Sequence, residues 1–400
     1  MTPETAAFIK RHADDDVRQL ALHAKCLDGV DLTFALEQIA GRQTARRKLP
    51  AWASIEGIVY PPHLSMEQCS SEQTARYKAC LAGQGRLIVD LTGGFGVDFS
   101  FMAQGFKKAV YVERQQSLCE IARENFQLLG LSQAEVVCCD ASDFLQTMEH
   151  ADLIYLDPAR RDDHGARTYG ISDCTPDVLA LRELLLEKAD RVIIKLSPML
   201  DWRKAVNDVG EQYVREVHIV SVGNECKELL LLLGQGEGLR LVCVCDNQRL
   251  EAHAPHKIHE PLEPHDPHHG LFLYEPNASI MKAGCFDEVS RQFQVGQLAQ
   301  NSHLFVSADY VNDFPGRTFQ IDAVTTMNKR ELKEKLQGLT QANIAVRNFP
   351  LTVAELRKRL KLNEGGSAYI FATTLASGNR VLILCRKLPT YTYFHSAKVI

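Results

Sequence analysis

The ten residues Val89-Asp-Leu-Thr-Gly-Gly-Phe-Gly-Val-Asp98 constrain this chain most. An apolar run ends in an acidic residue, and three glycines within four positions follow before apolar residues resume. A strand that stops at such a loop and passes into a helix is the opening unit of an α/β sheet, and the glycines let backbone approach a bound ligand. The loop is a poor pyrophosphate cradle: a GxGxxG pattern begun at Gly94 needs glycine at position 99, where Phe99 stands. It also lacks the GKS or GKT of a nucleotide-triphosphate loop.

The pattern after this loop extends the sheet. Leu87 to Leu91, Ala109 to Glu113, Glu135 to Asp140, Leu153 to Asp157 and Arg191 to Leu196 read as strands with helical patterns between them, the spacing of a parallel sheet covered on both faces. Val214 to Val220 and Leu229 to Leu233, joined through Gly223 and Asn224, read as an antiparallel pair closing one edge. Asp90, Glu113, Asp140 and Asp157 then fall at successive strand ends, where open α/β sheets bind ligands. Asp90 suits an amino group, Glu113 a pair of ribose hydroxyls, and Asp140 an adenine edge. Together they describe a nucleoside with a cationic amino-acid tail.

Four hundred residues exceed a single core, so more than one domain is expected. The first 65 residues alternate short helical patterns with breaks, and their Arg42, Arg46, Arg47 and Lys48 suit either a phosphate backbone or a solvated face. A helix is expected from Ser70 or Ser71, either hydroxyl serving as cap. Between Glu251 and Gly270 six histidines stand among four prolines; that irregular spacing suits a polar connector better than a metal site. The expected division is a helical region at 1–69, an α/β domain at 70–250, a connector at 251–270 and an α+β domain at 271–400.

Charge is unevenly distributed. Met327 to Ile400 carries thirteen Lys and Arg against four Asp and Glu, a net of +9, within a chain of net −5. A basic segment of this kind can attract a polyanion, with Lys329, Arg330, Lys333, Lys335, Arg357, Lys358 and Arg359 as candidates; it can also merely solubilise helices. The twelve cysteines show no CxxC spacing, and the N-terminus lacks a signal-peptide pattern. Reduced thiols and a cytoplasmic location are expected.

Four stretches, QCSSEQTARYKA at 68–79, DLTGGFGVD at 90–98, YLDPARR at 155–161 and NECKELLLLL at 224–233, resemble the class I S-adenosylmethionine-dependent methyltransferases, and more closely a bacterial group with a THUMP-like C-terminal domain. The closer resemblance extends through NFPLTVAELRKRL at 348–360. It implies a Rossmann-like class I sheet followed by an α+β THUMP-like domain, with S-adenosylmethionine as cofactor and no metal. The cofactor is expected at Asp90, Thr92, Gly93, Gly94 and Gly96, with Glu113 on its ribose, Asp140 on the adenine side and Asp157 near its amine.

Asp157 and Arg160 are the expected transfer-site residues, and Arg161 and Lys195 further candidates for substrate contact. Against the Asp/Asn-Pro-Pro-aromatic pattern of nitrogen methylation, Ala159 and Arg160 replace the second proline and the aromatic, so the usual stacking ring is missing. Tyr155 and Tyr169 are alternative rings. A covalent mechanism through Cys174 or Cys226 lacks a recognised nucleophile motif. THUMP domains are associated with RNA modification, so RNA is the expected substrate. A small molecule or protein as substrate, and a non-catalytic cofactor-binding protein, stay open.

Overall fold

The computed structural model describes residues 1–23, 28–160, 170–236, 238–254 and 266–389. Arg161, Tyr169, His256, His259 and His265 lie outside them, as does the side chain of Arg160. The chain forms two compact units, one built mainly from Met1–Val217 with Glu228–Glu237, the other from His218–Lys227 with Gly238–Val399.

In the first unit the apolar runs form β1 (Gly85–Asp90), β2 (Phe106–Glu113), β3 (Ala134–Cys138), β4 (Ala151–Leu156) and β5 (Ala189–Leu196). β6 (Val214–Val222) and β7 (Glu225–Gly234) follow, and the chain passes between the units inside these two strands. The order in this unit is β7-β5-β4-β1-β2-β3, with the first five strands parallel and β7 antiparallel to β5. β1 therefore lies between β2, its sequence neighbour, and β4, reached only after β3. The chain changes direction across the sheet here, and the carboxyl ends of β1 and β4 flank the resulting crevice.

Burial explains the strand pattern. Leu87, Ile88 and Val89 in β1 and Leu153, Ile154, Tyr155 and Leu156 in β4 are all buried, as expected when helices cover both faces. The helix Glu72–Ala82 starts at Ser71, whose hydroxyl accepts from Thr74 N at 3.2 Å. Its buried positions Thr74, Ala75, Lys78 and Ala82 make one stripe, with a lysine where an apolar residue is usual.

The N-terminal helices Pro3–Arg11, Val17–His23, Leu32–Lys48, Pro50–Ala53 and His63–Gln68 belong to this unit. Trp52 lies edge-on to Phe95 of the glycine loop with 4.9 Å between ring centroids, and Tyr60 joins the same core. Asn125, fully buried on the helix Gln116–Leu128, accepts from Val59 N and donates to Val59 O, both at 2.8 Å. Two candidate phosphate-binding cations are otherwise engaged. Arg46 pairs with Asp14, and Lys48 donates to the carbonyls of Met66 and Glu67 at 2.8 and 2.7 Å.

In the second unit β8 (Leu239–Cys245) pairs with β6 and, antiparallel, with β9 (Gln248–Ala254), so the pair β6 and β7 does not close an edge as the sequence led us to expect. A separate sheet contains β10 (Phe272–Pro276), β11 (Gly296–Gln297), β12 (Phe305–Ser307), β13 (Gly316–Thr325), β14 (Asn343–Arg347), β15 (Ala368–Thr374) and β16 (Arg380–Lys387). Its order is β11-β12-β10-β13-β16-β15-β14, antiparallel except for β14 with β15. The helices Lys329–Lys335 and Val353–Leu360 contribute Leu332, Leu356 and Leu360 to a core with Leu336, Ile370, Ala372 and Leu382. No helix among the described residues is long and apolar enough to cross a membrane.

Candidate active site

Asp90 is the last residue of β1 and almost completely buried. Its Oδ1 accepts from Thr92 N at 2.9 Å, turning the chain sharply into the loop. Burial is the main influence that pushes the Asp90 carboxyl well above the usual carboxylate range. Asp98, Asp157 and Glu113 push the same way, while the Thr92 amide opposes them. The Thr92 hydroxyl accepts from Asp157 N at 2.6 Å, tying the exits of β1 and β4 together.

The loop glycines are required for different reasons. A Cβ on Gly93 would run into the ring of Tyr111, so this position is closed by packing. Gly94 has φ +56°, and a Cβ there would meet only Thr92 O at 3.8 Å, so this stretch of backbone faces open space. Gly96 precedes the short helix Val97–Met102.

Glu113 ends β2 and is already engaged with this loop. Its Oε2 accepts from Gly94 N at 3.0 Å and its Oε1 from Gln115 N at 2.9 Å. A carboxylate has about four acceptor positions, so two bonds leave capacity for a pair of hydroxyls. Asp140 is exposed two residues beyond β3 and caps the helix Ala141–Thr147, accepting from Ser142 N at 2.8 Å. Asp157 follows β4, and its Oδ2 accepts from Lys195 Nζ of β5 at 2.5 Å. Lys195 is therefore a partner of the acidic residue, with its side chain only 13% exposed. Burial pulls the Lys195 ammonium down, but Asp157, Asp98 and Glu228 outweigh it and hold the pKa above the ordinary lysine value.

Behind these residues lies a buried ionic network. Lys78, with no exposed surface, contacts Glu228 of β7, Ser70 Oγ at 3.1 Å and Asp98 Oδ1 at 3.2 Å. Ser70 and Tyr155 donate to Asp98 Oδ2 at 2.8 and 2.7 Å. Burial raises the Asp98 carboxyl, but Lys78, Lys195 and these hydroxyls lower it further, and the net shift is downward. Tyr155 is thereby a core residue, not a stacking ring. Cys174 is buried in the two-residue pairing of Ala159–Arg160 with Cys174–Thr175, and Cys226 donates to the carbonyl of Ala278 at 3.3 Å. Among the described residues, no three His, Cys, Asp or Glu side chains gather where they could hold a metal ion.

Sequence reasoning identified the loop and the strand-end acids but not Ser70, Lys78 or Glu228 as site-supporting side chains. The available signal was a lysine within the apolar stripe of its helix and a glutamate opening the Leu229–Leu233 run.

A Rossmann-like mixed sheet with acidic strand ends around an open glycine loop is the arrangement of a class I S-adenosylmethionine-dependent methyltransferase. Residues 316–387 match a THUMP domain-like family and residues 272–315 a ferredoxin-like domain. A crystal structure from Porphyromonas gingivalis W83, assigned as a methyltransferase, is similar with a TM-score of 0.86 and 31% identity. The match covers 96% of this chain and 98% of that one. An rRNA methylase from Streptococcus thermophilus matches with a TM-score of 0.32 and 15% identity, over 41% of this chain and 96% of that one. No curated protein matches the chain. The chain belongs to the family of class I methyltransferases that carry a THUMP-like C-terminal domain.

Proposed function

We propose that this enzyme methylates a nucleotide in RNA, the THUMP-like region supplying the electrostatic contact with the polynucleotide. The observation that carries the reading is the exposure of Lys329, Arg330, Lys333, Lys335, Lys358 and Arg359 on the two helices of the region matching the THUMP domain-like family. Their leucines face the core, so these cations are solvated as well as available to phosphates. Arg357 is half-buried and donates to Ala342 O at 3.2 Å, which makes it a structural residue in part. In this reading 1–69 is a helical region, 70–250 the transfer domain, 251–270 a connector and 271–400 the RNA-facing domain.

The residues present fit S-adenosylmethionine. Asp90, Asp157 and Glu113 give a cationic ligand acidic surroundings, and Gly94 offers open backbone. Asp90, Thr92, Gly93, Gly94 and Gly96 would hold its methionine part, Glu113 its ribose, Asp140 its adenine side and Asp157 its amine. When bound, this cofactor supplies an electrophilic methyl group on a sulfonium centre. Asp157 and Arg160 are the residues proposed to support transfer. Because Lys195 occupies Oδ2 of Asp157, the other oxygen is the one to accept from an amine, either the cofactor's or a nucleophilic substrate amine whose lone pair it would aim. Alignment and exclusion of water are the expected sources of rate, since the sulfonium is itself a leaving group.

A small-molecule substrate is the second reading, favoured by the packing of Trp52 and Tyr60 on Phe95, which places N-terminal residues against the glycine loop. The deciding experiment incubates the full-length protein and a Lys329→Glu/Arg330→Glu/Lys358→Glu/Arg359→Glu variant with cellular RNA and isotopically labelled cofactor. Labelling of RNA that falls strongly in the folded variant supports the RNA reading. Labelling of a metabolite or protein, with none in RNA, overturns it.

A further inference from the structure

The face of the second unit's sheet that carries Leu273, Phe319, Ile321 and Phe371 ends in polar residues. Side chains alternate along a strand. Glu275 therefore shares the face of Leu273, Arg317 that of Phe319, Arg347 that of Ala345, and Thr373 that of Phe371. Arg347 and Thr373 are register partners on β14 and β15. Glu275 lies between the two arginines, accepting from Arg317 Nε and Arg347 Nη2, each at 2.7 Å.

This satisfies Glu275 but not its surroundings. Arg347 Nε, Thr373 Oγ1 and His303 Nδ1 are all buried without a hydrogen-bond partner among the described residues. His303 stacks on Phe286, with 4.2 Å between ring centroids. Burial, and then Arg347, lower its pKa, so the ring is neutral near pH 7 and carries one N–H. Leaving a buried polar group unpaired is costly; Thr373 is the register partner of Arg347 and His303 lies within reach of the Arg347 charge, so the three call for a common acceptor.

We propose that Arg347, Thr373 and His303 form an oxyanion site in the C-terminal unit that takes a phosphate group. All three atoms can donate: the arginine Nε–H always, the threonine through its hydroxyl, the histidine through its Nδ1 tautomer. Arg317 and Arg347 against Glu275 give the group a net charge of +1, suited to a singly charged phosphodiester or phosphate monoanion. The arginine side chains are 36% and 33% exposed, so the cluster borders solvent. An internal water is the competing occupant and would need only two to four polar partners. The site is independent of cofactor binding, so its failure leaves the methyltransferase assignment untouched.

Thr373→Val separates the two occupants, because valine keeps the shape and removes the hydroxyl. Calorimetric titration of full-length protein with inorganic phosphate, at ionic strength matched with chloride, is the measurement. Wild type is expected to bind and to melt at higher temperature with phosphate, while Thr373→Val binds roughly tenfold more weakly and melts no lower than wild type without it. His303→Phe, which preserves stacking on Phe286, is expected to weaken phosphate in the same way and serves if Thr373→Val misfolds. Competition by a short oligoribonucleotide but not AMP identifies a phosphodiester as the source, and competition by AMP a mononucleotide; either supports the site. Absence of phosphate binding in wild type, or equal affinity in folded variants, overturns it.

Discussion

Lys195 Nζ and Asp157 Oδ2 lie 2.5 Å apart on neighbouring strands, and the Asp157 backbone is held separately by the Thr92 hydroxyl. The acidic residue expected to face the reacting atoms is thus fixed from two sides. Lys195 occupies one of its two carboxylate oxygens, so orientation of a substrate amine is the role left to the other. Asp157→Asn retains the Thr92 contact, which is to the main chain. Its kcat is expected to fall on the order of 100-fold, with an unchanged circular-dichroism spectrum. Turnover equal to wild type would remove Asp157 from the transfer step.

Glu113 accepts from the amides of Gly94 and Gln115, so it shapes the loop as well as offering acceptors to a ribose. Glu113→Ala is expected to weaken S-adenosylmethionine binding about 10- to 100-fold, the loss of one or two hydrogen bonds to a charged group. Isothermal titration checks it, and unchanged affinity would contradict the ribose contact.

Asp90 is a place where stability and binding oppose each other. Its carboxyl is raised in the folded protein, so the ionised form is disfavoured by folding, and the penalty grows as pH rises from the ordinary carboxylate range toward the raised value. Asp90→Asn should melt above wild type at pH 7.5. The gap should narrow as pH is lowered and wild-type Asp90 takes up its proton. The same variant should bind cofactor more weakly. A variant less stable than wild type at pH 7.5 would contradict this balance.

Lys78 is the only cation directly contacting both Glu228 and Asp98 among the described residues. Lys78→Met leaves both carboxylates buried without it and should cost about 3–5 kcal/mol in urea denaturation. Adding Glu228→Gln should recover part of that loss, because one of the stranded charges is removed. Additive destabilisation in the double variant would show that the contacts are not energetically coupled.

The strand-to-loop unit at Val89–Asp98 and the acids at strand ends were legible in the sequence because they follow local rules: apolar runs, glycines at a turn, a polar residue where a strand stops. The same rules narrowed the cap to Ser70 or Ser71, of which the structure uses Ser71, and located the paired strands around Gly223. Sequence also gave reason to consider Lys195, but as a substrate contact; only the adjacency of β4 and β5 made it the partner of Asp157. Lys78 and Glu228 are 150 residues apart, and no local pattern pairs a lysine on a helix with a glutamate on a distant strand. The roles of the glycines separated in the same way, since Gly93 is closed by Tyr111 of the neighbouring strand while Gly94 is open. Periodicity and turn chemistry are properties of neighbours along the chain, so the sequence by itself determined the elements and the order of the strand-end acids. Which charges meet, and which backbone remains open, depends on contacts between distant segments, and only the tertiary structure decided that.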